Sequence, residues 1–146
     1  MELNRENKLY DRVYTIGCFD WLHDGHIKLL AKLKGYGKRV IVGIHDDRSI
    51  EQLKNLSPDE HQTIDVRMKN VKKYVDFVYV IPDKDPTLFL ECVLQEDDNK
   101  DNACFIRADD MPNFPGRKLI ENRISIMFLP YTEGISSTMI RKDMKK

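Results

Sequence analysis

Short apolar runs alternate along this chain with stretches of helical periodicity, and that alternation leaves few folds open to it. Residues 12–16 read as a strand. A helix over about residues 24–34 follows, with Ile27, Leu30 and Leu33 on one face and Gly35 and Gly37 placed to stop it. Residues 39–44 read as a second strand, apolar without alternation after Arg39, the pattern of a central parallel strand covered on both faces. Ile64, Met68, Val71 and Val75 recur at helical spacing, residues 77–81 give a third strand, and residues 87–94 a third helix. A strand at 103–107, a short helix at 117–122, a strand at 124–129 and a terminal helix starting near Ser137 complete the series. Strands separated by helices need crossover connections, so the sheet is parallel. The expected fold is α/β: a Rossmann-like, doubly wound, five-stranded parallel sheet forming a single domain over residues 1–146. The polar stretch 95–102 reads as a solvated loop.

Composition removes several function classes. Lys plus Arg and Asp plus Glu both number 24, a formal net charge of zero, which argues against a nucleic-acid binder. No apolar run reaches the roughly 18 residues of a membrane span. The first residues are polar and charged, unlike a secretory leader. Cys18, Cys92 and Cys104 are odd in number and form no Cys-x-x-Cys pattern, as reduced thiols in a cytoplasmic protein would.

Chemistry concentrates where the first strand turns into the first helix, in Gly17-Cys18-Phe19-Asp20-Trp21-Leu22-His23-Asp24-Gly25-His26. A helix N-terminus there presents backbone N–H groups to whatever binds above the strand, and Gly25 allows close approach. Two histidines three residues apart can donate hydrogen bonds to a crowded, negatively charged phosphorus centre without covalent chemistry. A zinc pair is the competing reading, but two ligands with no carboxylate or thiol at ligand spacing do not make a site, so no metal ligands are assigned. His45 and His61 read as ordinary surface or strand-end histidines.

Gly-x-Phe-Asp-x-x-His-x-Gly-His is similar to the entry motif of the cytidylyltransferase-type nucleotidyltransferases. Thr132-Glu133-Gly134-Ile135-Ser136-Ser137-Thr138-Met139-Ile140-Arg141 resembles that family's second motif. The resemblance runs from Arg12 to Arg141. It implies nucleotidyl transfer, in which a phosphate monoester attacks the α-phosphorus of a nucleoside triphosphate and pyrophosphate leaves. Such a nucleophile is already an anion, so catalysis reduces to alignment and charge neutralisation, with no general base.

The resemblance implies catalytic roles for His26 at the transferring phosphoryl oxygens, His23 on the pyrophosphate side, and Lys54 in a loop reaching the α-phosphate. The implied nucleotide contacts are Gly17, Cys18, Phe19, Asp20, Gly25, His26, Lys54 and Asp109, then Tyr131, Thr132, Glu133, Gly134, Ile135, Ser136, Ser137, Thr138 and Arg141. Arg67 matches an arginine of relatives, and reads equally well as an exposed helix-face residue. The implied substrates are CTP, accompanied by Mg2+, and a small phosphoalcohol, with phosphocholine or phosphoethanolamine ahead of glycerol 3-phosphate. The alternatives are an adenylyltransferase of the same superfamily and a nucleotide-binding module without turnover. Relatives are commonly dimers, so a homodimer is expected by analogy, with neither nucleic acid nor stable membrane association.

Three departures from the family pattern stand out. Tyr131 replaces an arginine, and Arg107, Lys118 or Arg141 are the cations available to compensate. Arg107-Ala108 precedes the Asp109-Asp110 pair where a glycine or histidine is usual before it. The aromatic residues that box a quaternary ammonium in choline-phosphate enzymes are missing near Asp85-Pro86 and at Asn113, forgoing cation–π attraction of roughly 0.5–2 kcal/mol per ring.

Overall fold

The computed structural model describes residues 8–108 and 112–130. Five strands, β1 (Tyr10–Gly17), β2 (Gly37–His45), β3 (Phe77–Ile81), β4 (Ala103–Ala108) and β5 (Ser125–Leu129), pair in the order β3-β2-β1-β4-β5. Every pairing is parallel. The helices are α1 (Asp24–Tyr36), α2 (Asp47–Lys54), α3 (Ile64–Lys72), α4 (Thr87–Val93) and α5 (Arg117–Ile120), with a 3-10 turn at Pro58–Glu60.

Strand alternation sends successive side chains into two cores. Val13, Val40, Val42, Ile44, Cys104 and Ile106 pack with Leu30 and Leu33 of α1 and with Val71 of α3. Tyr14, Ile41, Ala103 and Phe105 pack on the opposite face with Leu90 of α4 and Ile120 of α5. Both sheet faces are therefore covered, the doubly wound arrangement expected from the continuous apolar strands.

Several expected details change. α1 runs through Gly35 to Tyr36, so Gly37 alone ends it, and β2 begins there. Gly37 is fixed by packing, because a Cβ on it would lie 2.6 Å from Val13 Cγ2. α2 has no counterpart in the periodicity, and it turns the expected Lys54 loop into the last turn of a helix. Asp46 caps α2 by accepting from Ser49 N at 2.8 Å, and Asn55 closes it at φ 54°, the left-handed C-cap conformation. α3 stops at Lys72, leaving Val75 beyond it. The 95–102 loop is not uniformly solvated. Asp98 is buried and receives hydrogen bonds from Arg12, Tyr14 OH and Gln95 N, tying the loop to β1. No disulfide joins Cys18, Cys92 or Cys104. No helix among the described residues is long and apolar enough to cross a membrane. The terminal helix expected near Ser137 lies outside the described residues.

Candidate active site

β1 and β4 are neighbours in the sheet, and between them the chain reverses the direction in which it adds strands. Ligands of open α/β sheets bind at such a point, beyond the strand C-termini. A cavity of 160 Å³ lies there, walled by Gly17, Cys18 and Phe19 after β1, His26 of α1, Lys54 of α2, and Arg107 and Ala108 at the end of β4. Five of the residues expected from sequence, Gly17, Cys18, Phe19, His26 and Lys54, thus line one cavity together with Arg107, one of the cations available to compensate for Tyr131.

The β1–α1 loop is held in an unusual backbone path. Phe19 (φ 50°) and Trp21 (φ 49°) are both left-handed without being glycine. Such conformations cost on the order of 1–3 kcal/mol each and persist only when the surroundings impose them. The path folds the Phe19 ring over Gly17, where a Cβ would lie 3.0 Å from Phe19 Cε2. It also turns Asp20 inward, 1% exposed, to accept from Gln62 N at 2.8 Å. Asp20 thereby supports the loop from beneath.

His23 and His26 form the N-terminal cap of α1. His23 Nδ1 accepts from Gly25 N at 3.1 Å, and His26 Nδ1 accepts from His23 N at 3.3 Å, a capping box built from two imidazoles. Because each Nδ1 is an acceptor, the ring proton of each sits on Nε2. The rings stack with centroids 3.9 Å apart. Burial, together with the neighbouring His23 and Lys54, lowers the His26 pKa to about 3, and burial lowers that of His23 as well. Both rings are therefore neutral donors near pH 7. The N–H of Gly25 is spent within the cap, while the histidine Nε2–H groups take no part in it.

Arg67 holds the surrounding segments together. The helix-face alternative fails, because the side chain is fully buried. Its guanidinium donates to Gln62 O (3.0 Å), Cys18 O (3.0 Å), His45 O (2.7 Å) and Asp47 Oδ1 (3.0 Å). One side chain thereby joins the loop after β1, the end of β2, the start of α2 and the approach to α3. Gln62 is a second hub, since its Oε1 also accepts from Trp21 N at 3.1 Å. His45 and His61 are buried, contrary to the surface reading. His45 does end β2, where its Nδ1 meets Asp83 O at 3.0 Å and burial lowers its pKa.

A larger depression of 670 Å³ opens on the α4–α5 side, lined by Thr87, Asn113 to Leu119 and Glu121. Phe114 in its wall is stacked on Phe105 at 4.8 Å, and the Arg107 guanidinium lies 5.3 Å over the Phe114 ring. Arg107 therefore stands between the two cavities. Asp109 and the second-motif residues Tyr131, Thr132, Glu133, Gly134, Ile135, Ser136, Ser137, Thr138 and Arg141 lie outside the described residues. Among the described residues, no group of three or more His, Cys, Asp or Glu is placed to hold a metal ion.

Comparison with known proteins agrees with this architecture. The family model described as cytidylyltransferase-like matches residues 14–143. The glycerol-3-phosphate cytidylyltransferase of Bacillus spizizenii is 33% identical over 135 residues, covering 91% of this chain and 96% of that protein. The bifunctional protein HldE of Campylobacter fetus is 32% identical over 136 residues, 91% of this chain but 28% of HldE, so the chain spans little more than a quarter of that relative. The crystal structure of the lipopolysaccharide core biosynthesis protein from Thermoplasma volcanium superposes with a TM-score of 0.62 at 20% identity, covering 84% of this chain and 98% of that one.

Proposed function

The chain belongs to the cytidylyltransferase-like family, and from that premise we propose that it transfers CMP from CTP to a small polyol phosphate, with glycerol 3-phosphate as the first acceptor to assay. The observation that carries the acceptor choice is the lining of the larger depression. It contains the segment at which choline-phosphate enzymes would place a cation box, yet it offers Arg117, Lys118, Thr87 and Asn113. Among the described residues its one aromatic side chain, Phe114, is buried and covered by Arg107. Cations and hydrogen-bonding side chains suit a phosphate and hydroxyls, whereas a quaternary ammonium needs exposed ring faces. This reverses the order of acceptors expected from sequence.

In this reading the triphosphate lies across the narrower cavity. Neutral His26 donates Nε2–H to oxygens of the phosphorus under attack, with His23 stacked behind it. Lys54 and Arg107, both lining that cavity, supply positive charge, Arg107 offsetting the arginine missing at position 131. Mg2+ would accompany the triphosphate as its counter-ion and offset its charge. Nothing in the reaction demands a general base, consistent with a histidine pair that is neutral and capped.

Pyrophosphate release tests the proposal, with CTP or ATP as donor and glycerol 3-phosphate, phosphocholine, phosphoethanolamine or a sugar phosphate as acceptor. Release is expected with CTP and glycerol 3-phosphate. Preference for phosphocholine would overturn the acceptor, and preference for ATP the donor. Silence with every pair would leave a nucleotide-binding module.

A further inference from the structure

Trp21 holds a left-handed backbone (φ 49°) that a bulky side chain disfavours, two residues before His23 caps α1. Such a conformation lasts only where its surroundings impose it. The indole does not impose it through hydrogen bonding, because Nε1 is buried without an acceptor among the described residues. The main chain does, since Trp21 N donates to Gln62 Oε1 at 3.1 Å. Gln62 is itself fixed at both backbone groups. Its N–H donates to Asp20 Oδ1 at 2.8 Å, and its carbonyl accepts from Nε of the fully buried Arg67 at 3.0 Å. Arg67 also donates to Cys18 O at 3.0 Å. The strained loop is thus gripped at Cys18, Asp20 and Trp21 from the turn that leads into α3 and from α3 itself.

The grip on Asp20 uses the backbone of Gln62 and the grip on Cys18 uses Arg67, so the amide oxygen of Gln62 is left to hold Trp21. What Trp21 sets in turn is the direction in which the chain enters α1. His23 and His26 cap that helix together and stack with centroids 3.9 Å apart, so a shift of one carries the other. A change of φ at Trp21 would swing the pair relative to Lys54, which stands on α2. Misplacing a group by about 1 Å can cost on the order of 10²-fold in rate. We propose that Gln62 is a positioning residue: its amide oxygen clamps Trp21 in the left-handed turn and so keeps the His23–His26 pair aimed at the reacting phosphorus. The catalytic half rests on the nucleotidyl-transfer reading, whereas the clamp on Trp21 does not.

Gln62→Met tests both halves on the intact protein, because it removes the acceptor while keeping the length of the side chain and both backbone contacts, so the variant folds. Trp21 is the only tryptophan of the chain, and its emission therefore reports this loop. Acrylamide quenching in the absence of denaturant should rise by about twofold or more in Gln62→Met. Quenching equal to that of the wild type would overturn the clamp. In pyrophosphate release from CTP and glycerol 3-phosphate, kcat should fall by about tenfold. KM for CTP should change by less than about threefold, since Lys54 and Arg107 stand on other elements. In a His26→Asn background the same substitution should cost less than about threefold in kcat, because the donor that it aims is gone. A tenfold loss in both backgrounds would mean a general loosening of the fold and would overturn the positioning role, as would a change in KM alone. If the wild type turns over no donor and acceptor pair, the transfer reading and the catalytic half fall together, while the quenching still decides the clamp.

Discussion

Replacing His26 by Asn separates the two jobs that one ring performs. Asn Oδ1 can occupy the place of Nδ1 and continue to accept from His23 N, now at 3.3 Å, so the capping box is kept. What disappears is the Nε2–H and the ring's packing against His23 and Phe19, at centroid distances of 3.9 and 5.4 Å. The packing is worth about 1 kcal/mol, small beside a domain stability of roughly 5–15 kcal/mol, so the variant folds. Losing one preorganised donor to a charge that grows in the transition state costs about 10²–10³ in kcat, or roughly 2.7–4 kcal/mol, with a smaller change in KM. Because burial and the neighbouring His23 and Lys54 lower the His26 pKa to about 3, the ring works as a neutral donor, and the loss should be the same from about pH 6 to pH 9. The assay is steady-state pyrophosphate release at 25 °C across that range, alongside urea unfolding of both proteins. A kcat within about threefold of wild type would refute the donor role. So would a loss that vanishes at one end of the range, since that would mean the ring acts through its charge.

Arg67→Met removes four hydrogen bonds, taking a donor from three carbonyls and from a partly exposed Asp47; it should destabilise by about 3–5 kcal/mol in urea unfolding, and a loss below about 1 kcal/mol would show that the network is ornamental. Burial depresses the pKa values of His26, His23 and His45 in the folded protein below the unfolded 6.5, so the unfolded chain binds more protons below that pH and stability must fall as pH drops toward the folded values. Urea midpoints between about pH 6.5 and 5 should show a shallower slope for His26→Asn than for wild type, and equal slopes would contradict the lowered value. Gly37→Ala would place a Cβ 2.6 Å from Val13 Cγ2 and should cost about 1–3 kcal/mol of thermal stability, whereas an unchanged Tm would mean that β1 and β2 shift apart freely.

Pattern in the chain was enough for the parallel sheet, because continuous apolar runs such as Val40 to Ile44 suit a strand covered on both faces. The Gly17–His26 segment was legible for a similar reason: glycine and paired histidines at a strand-to-helix junction are poor core formers but suit a phosphate turn. α2 was not legible, since its two apolar residues, Ile50 and Leu53, are too few to set a period, and Leu53 is 46% exposed. Nor could composition reveal that the backbone turns left-handed at Phe19 and Trp21, where no glycine announces it, and so points Asp20 inward. Arg67 and His61 look like solvated helix and loop residues in one dimension. They become buried hubs only when the ends of β1 and β2, α2 and the residue 62 turn meet and leave carbonyl and carboxylate oxygens that need donors. Local periodicity and turn chemistry write the elements and the first-motif turn into the sequence itself. Where buried polar groups find their partners depends on which segments the sheet brings together, and that only the tertiary structure decides.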